Sequence, residues 1–167
     1  MEKISDPEYW KERLKKANEL HKAIFICPID RWNNIEATHR QILAKVIGEN
    51  DSILDAGCGY GRLISLLPST WRGDYLGIDI SPDFVSLAQK ICPNHHFTVG
   101  DLRKLNEIKP SIGKNYDWAI CISMQPMISR NLGGEVWDTI EAQLLEVANK
   151  ILFLEYDTQT PPRFIER

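Results

Sequence analysis

The stretch Ile53-Leu54-Asp55-Ala56-Gly57-Cys58-Gly59-Tyr60-Gly61-Arg62 is the densest group of residues whose types and spacing can do chemistry. An apolar run enters a loop with glycine at 57, 59 and 61 and leaves into a helical pattern. Glycines let the backbone turn sharply and let a ligand approach main-chain atoms closely. A structural turn needs only one glycine, so spacing has to discriminate. The dinucleotide fingerprint Gly-x-Gly-x-x-Gly requires a glycine at position 62, and position 62 is arginine. The phosphate loop Gly-x-x-x-x-Gly-Lys-Ser/Thr is absent. Two further acids fall at strand ends. Asp79 closes Tyr75-Leu76-Gly77-Ile78-Asp79, about 20 residues after Gly59, the separation at which an acid meets ribose hydroxyls. Asp101 follows Thr98-Val99-Gly100. Either acid taken singly also reads as a carboxylate capping the next helix.

The order Asp-x-Gly-x-Gly-x-Gly, then Asp79, Asp101 and the apolar run Tyr116–Ile122, resembles the class I S-adenosylmethionine-dependent methyltransferases over roughly Ser52 to Asp157. The resemblance implies S-adenosyl-L-methionine as donor and S-adenosyl-L-homocysteine as product. It implies donor contacts from Asp55, Gly57, Cys58, Gly59, Gly61, Asp79, Ile80, Asp101, Leu102 and Ile122. In this reading Asp79 accepts charge-assisted bonds from the ribose hydroxyls. Asp101 reads the adenine amino group, Ile80 and Leu102 sandwich its faces, and Asp55 orients the loop or the methionine amino group. The end of the fourth strand faces the methyl group. Transfer from a sulfonium is an in-line displacement that needs alignment and a dry site, so no catalytic residue and no metal is assigned.

The acceptor is less legible. The segment Ser123-Met124-Gln125-Pro126-Met127-Ile128 lacks the Asp/Asn-Pro-Pro-Tyr pattern of many adenine and glutamine amino-methyltransferases. Ser123 and Gln125 can hydrogen-bond an acceptor and Gly133-Gly134 can act as a hinge, or the whole is a connecting loop. Trp32 is open to two readings, lid or core. Arg31 and Arg62 either meet the donor carboxylate or have intrachain partners. Tyr60 faces ligand or solvent, His39 is an acid–base group or a packed ring, and Cys58 is a thiolate or loop filler. Cys92-Pro93-Asn94-His95-His96 is not taken as a metal site, since His96 enters a strand. Other functions stay open: lyase or aminopropyl chemistry on the same donor, or a binding module without turnover. A dinucleotide oxidoreductase is disfavoured by Arg62.

These residues need a frame. Short apolar runs alternating with helical patterns predict an α/β, Rossmann-like parallel sheet with helices on both faces. About five strands are expected, ordered 3-2-1-4-5 by analogy with the family. An N-terminal helical segment precedes them. Asp6 and Pro7 start a helix whose stripe runs Trp10, Leu14, Ala17, Leu20, Ile24. Asn33 or Asn34 caps a second helix that stops at Gly48. The 167 residues divide as one domain: a helical cap over 1–50, the binding core over 51–157 and a tail over 158–167. Too few residues follow Asp157 for the family's last helix and antiparallel hairpin, so the hairpin is expected to be missing. Ile151–Leu154 then becomes a bare apolar edge that a second subunit, the tail or the N-terminal helices must cover. A homo-oligomer through this fifth-strand edge is one outcome.

Composition narrows the partners. A net charge of −3 argues against a nucleic-acid partner held by phosphate contacts. Hydrophobic residues at 43% and charged residues at 26% fit a globular chain. Cys27, Cys58, Cys92 and Cys121 form no Cys-x-x-Cys pair, and reduced thiols fit a cytoplasmic location. No signal-like start and no apolar run near the roughly 20 residues of a membrane span is present. A small-molecule acceptor is the expectation.

Overall fold

The computed structural model describes residues 4–167. Helix α1 spans Pro7–Lys16, and the Asp6 carboxylate accepts from the Glu8 N–H at 3.0 Å. The stripe expected to run on to Ile24 is interrupted. The backbone is extended at Ala17, and α2 (Leu20–Ile24) starts afresh. Arg13 holds the bend by donating from α1 to the Ala23 and Lys22 carbonyls, the free C-terminal acceptors of α2. Helix α3 spans Ile29–Val46 and so begins before the expected cap at Asn33 or Asn34. Pro28 starts it at φ −60 and ψ 153, and both asparagines lie inside the helix.

The sheet follows. Strand β1 is Ile53–Ala56, β2 Tyr75–Asp79, β3 His96–Val99, β4 Tyr116–Ile122 and β5 Ala148–Leu154. These pair in parallel in the order β3-β2-β1-β4-β5. Ala56 aligns with Ile78 of β2 on one side and Cys121 of β4 on the other, so three carboxyl ends share one rim. A 3-10 turn at Arg62–Leu66, α4 (Pro82–Ile91), a 3-10 turn at Leu102–Lys104 and α5 (Leu105–Ile112) are the first crossovers. Next come α6 (Met124–Leu132) and α7 (Gly134–Leu145). Alternation sorts the strand residues to two cores. Leu54, Ile78 and Phe153 pack with Trp10, Phe84 and Trp137 on one face. Ile53, Phe97 and Leu152 pack with Leu43, Leu63 and Val85 on the other.

Two expectations are corrected. Ser123–Gly134 holds helix α6, whose Pro126 sits in the first turn, where its missing N–H costs nothing. The antiparallel hairpin is present: β6 (Arg163–Glu166) pairs with β5, with Phe153 opposite Arg163 and Lys150 opposite Glu166. One short strand needs no helix before it, so the few residues after Asp157 suffice. The chain's own C-terminal residues therefore cover the apolar edge, and β5 offers no edge to a second copy. Arg163 fixes the cover: its guanidinium lies 3.9 Å from the Phe153 ring centroid and donates to Glu141 at 2.8 Å. Among the described residues no helix is long and apolar enough to cross a membrane.

Deleting residues 158–167 re-exposes β5. The expected outcome is a lower thermal midpoint and light scattering on heating. A deletion variant that melts like the parent without scattering would contradict this role of β6.

Candidate active site

The loop after β1 is pinned before any ligand arrives. The Gly57 and Cys58 N–H groups both donate to the Ile78 carbonyl, at 2.8 and 3.0 Å. The Gly59 N–H donates to Asp79 Oδ2 at 2.8 Å, and the Ser81 N–H donates to Oδ1 at 2.9 Å. Asp79 thus ties the glycine loop to the turn between β2 and α4. Burial pushes its carboxyl above the usual range, while the two N–H donors pull it back. Each oxygen keeps a further lone pair. Gly57 has φ +79, and a Cβ there would lie 2.6 Å from Met124 Sδ. Gly59 has φ +52, and a Cβ there would meet only Ile24 Cγ2, at 3.6 Å.

Above this loop lies a cleft that is partly open to solvent. Gly57, Gly59, Asp79, Ile80, Asp101, Leu102, Ile122 and Ser123 all line it. Asp101 caps the 3-10 turn through the Arg103 N–H and receives Arg103 Nε at 2.9 Å. Burial works to raise its carboxyl, and the Arg103 bonds outweigh this and hold it below the usual range.

Five expected site residues stand elsewhere. Asp55 points into the sheet's other face, where Tyr75 donates to its carboxylate at 2.5 Å. Cys58 is 5% exposed and fills the space beside Gly77, and burial raises its thiol well above the ordinary value. Gly61, at φ +83, heads the 3-10 turn and packs on Phe97. Trp32 is core: His21 stacks on it at 5.0 Å, and the Arg62 guanidinium lies 4.9 Å from its ring. Gln125 accepts from Arg163 at 3.4 Å, away from the cleft.

The sequence reading missed Trp10, Ile24, Phe84, Met124, Met127 and Tyr156, which also line the cleft. Trp10 and Ile24 reach the cleft from two helices, α1 and α2, that bend about Arg13, and Met124 and Met127 depend on the unforeseen α6. Ser123 marks the place: among the described residues it is the one non-glycine with positive φ, at 52°. Its N–H donates to the Leu154 carbonyl, and its hydroxyl oxygen accepts the Tyr156 N–H, both at 2.7 Å. Such strain persists where the surroundings enforce it.

Behind the cleft, His39 bonds the Glu155 carbonyl at 2.8 Å. Burial, with Arg62 adding to it, pushes the ring down to about 4. Arg62 is 5% exposed, 3.8 Å from Glu36 and 5.4 Å from the Tyr156 ring, and among the described residues its Nη1 has no hydrogen-bond partner. Arg31 lies over Phe25 at 5.4 Å. Tyr60 is half-buried against the core, and His95 stacks on Trp71 at 6.1 Å.

Two buried groups set opposing pH slopes. Burial raises Asp55 from 3.8 to about 7, so its protonated form favours the fold and stability falls as pH climbs between those values. His39 is lowered from 6.5 to about 4, so its neutral form favours the fold and stability rises over that window. Asp55→Asn removes the falling slope. The urea midpoint of this variant is expected to rise more steeply from about pH 4.5 to about pH 6.5 than the parent's. Equal slopes would show that Asp55 does not titrate there.

The model of the methyltransferase-domain family matches residues 53–139, about half of the chain. No curated protein sequence matches. Among solved structures, a TehB-like SAM-dependent methyltransferase from Corynebacterium glutamicum is 22% identical, with a TM-score of 0.53 over 75% of this chain and 68% of that one. Magnesium protoporphyrin IX methyltransferase from Synechocystis PCC 6803, with bound SAH, is 22% identical, with a TM-score of 0.51 over 75% and 68%. The PH0226 protein from Pyrococcus horikoshii OT3 is 23% identical, with a TM-score of 0.60 over 73% and 57%. The matches thus span from 57% to 68% of these three structures' own lengths. At these identities the structures share the fold, and the match over the glycine loop, β2, β3 and β4 supplies the family. The chain belongs to the methyltransferase-domain family, in the class I, S-adenosylmethionine-dependent group.

Proposed function

We propose that the protein binds S-adenosyl-L-methionine in this cleft and transfers its methyl group to a small-molecule acceptor, leaving S-adenosyl-L-homocysteine. The observation that carries the reading is the convergence of Gly57, Gly59, Asp79, Ile80, Asp101 and Leu102 on one cleft at the carboxyl rim of the sheet. The chemistry of this set fits the donor. Gly59 leaves main chain bare of a Cβ where the sugar and methionine parts approach, and Gly57 lets Met124 pack against the loop. Asp79 keeps lone pairs for two hydroxyl donors after holding the loop. Asp101 stays ionised beside Ile80 and Leu102, which present apolar surface to a flat ring. When bound, the donor supplies an electrophilic methyl on a sulfonium. The chain's own contribution is alignment and exclusion of water, through a largely apolar wall closed by α1, α2 and α6. The Gly57, Cys58 and Gly59 N–H groups are already bonded to the Ile78 carbonyl and Asp79, which suits this phosphate-free ligand better than a dinucleotide.

Calorimetric titration with S-adenosylmethionine, S-adenosylhomocysteine and NAD tests the reading. Micromolar binding of both sulfur ligands and silence with NAD is the expected result. Failure of both sulfur ligands to bind overturns it. Asp79→Ala is expected to weaken donor binding by roughly 1.5–3 kcal/mol, the worth of one hydrogen bond to a charged group. S-adenosylhomocysteine affinity is expected to fall roughly tenfold to 150-fold, and unchanged affinity would take Asp79 out of the site. In Gly59→Val, side-chain bulk enters the cleft beside Ile24, and a folded variant that binds normally would refute the loop assignment.

A further inference from the structure

The cleft has two chemically different ends. Its charged lining residues among those described are Asp79, Asp101 and Arg103, all at the ends of β2 and β3. The rest is apolar apart from Ser5, Ser123 and Tyr156. Ile24 approaches Gly59 from α2, and Met124 covers Gly57 from α6, so the glycine loop is bracketed by two apolar side chains. Trp10 of α1 packs on Phe84 of α4 near the charged end, whereas Met127, Ile128 and Leu132 of α6 and Ile140 of α7 carry the apolar lining on from Met124. Among the described residues this part of the lining offers no cation to a phosphate or carboxylate, and the half-buried Glu155 carboxyl is hydrogen-bonded to Ser123. Burying an unpaired charge there would cost several kcal/mol. Thioether side chains are flexible and polarisable and adapt to irregular apolar surfaces. A polar anchor stands at one point, where Ser123 is held in its strained conformation with its hydroxyl oxygen on the Tyr156 N–H.

From this distribution we infer that the acceptor is an uncharged, mainly apolar small molecule. Its body lies against Met127, Ile128 and Leu132 of α6 and Ile140 of α7, and its nucleophilic oxygen, nitrogen or sulfur sits at Ser123. The inference rests on the donor occupying the charged end, as proposed above. It sets aside nucleotides, phosphorylated sugars and charged peptides as acceptors, and it makes Met127 a specificity-determining residue.

The test uses the full chain saturated with S-adenosylhomocysteine, titrated with 1-naphthol and with 1-naphthyl phosphate as probes of equal ring and unequal charge. 1-Naphthol is expected to bind at least tenfold more tightly than the phosphate. Met127→Asp, which puts a carboxylate into the wall, is expected to weaken 1-naphthol at least tenfold. Met127→Leu keeps the affinity within about threefold. S-adenosylhomocysteine binding, the control for folding, is expected to be the same in all three proteins. Equal binding of the two probes, no binding of 1-naphthol, or a Met127→Asp variant that binds it normally overturns the inference. If S-adenosylhomocysteine itself does not bind, the donor reading falls, and the same probe comparison on the free protein decides the acceptor class separately.

Discussion

The Asp79 carboxylate is the point through which the candidate site is assembled. Its two oxygens accept from Gly59 in one loop and Ser81 in the next, so a single buried group fixes the glycine loop against the start of α4. Carboxylates that accept backbone N–H donors pay less for their burial, and here the bonds offset a strong desolvation cost. The loop is therefore formed by the protein's own bonds, with lone pairs left over for a ligand. Preorganisation of this kind reduces the ordering cost at the moment of binding.

The parallel sheet makes that tie possible. Alignment of Ala56 with Ile78 and Cys121 brings the ends of three strands to one rim, and the residues that follow each strand turn out over it. Ligands in open α/β sheets bind in the crevice outside the carboxyl ends. The second face of the sheet holds a different polar group. Asp55 with Tyr75, and Arg62 with His39 and Trp32, are buried behind the loop rather than in the cleft. They connect α3 and β5 to the loop's underside through the bond from His39 to the Glu155 carbonyl. Residues adjacent in the glycine motif thus serve two purposes: Gly57 and Gly59 shape the cleft, while Asp55, Cys58, Gly61 and Arg62 support it from behind.

The roof of the cleft has separate origins. Helices α1 and α2 meet at a bend held by Arg13, and α6 begins at the strained Ser123 and ends at Gly133, whose φ of 105° favours glycine. These elements close the cleft with apolar side chains.

The sequence by itself determined the family, the five parallel strands and their alternation with helices, and the acids and glycines that meet at the cleft. These rest on local rules: apolar runs bounded by turns, glycine where φ must be positive, and an acid at a strand end two residues before a capping serine. The tertiary structure alone decided which motif residues face the cleft. One-residue alternation along β1 sends Asp55 to the far face while Leu54 and Ala56 are buried in the core on the near one, and no spacing rule shows which face will carry the cleft. It also decided the bend after Lys16, through a side-chain bond from Arg13 to a helix not yet formed when the stripe is read. The pairing of Arg163–Glu166 with β5 depends on an apolar edge that exists only once β5 has joined the sheet, and on the Arg163 guanidinium over Phe153. Helix α6 carries no side-chain cap and a proline in its first turn, so its local signals read as a loop, and its packing over the cleft makes it a helix.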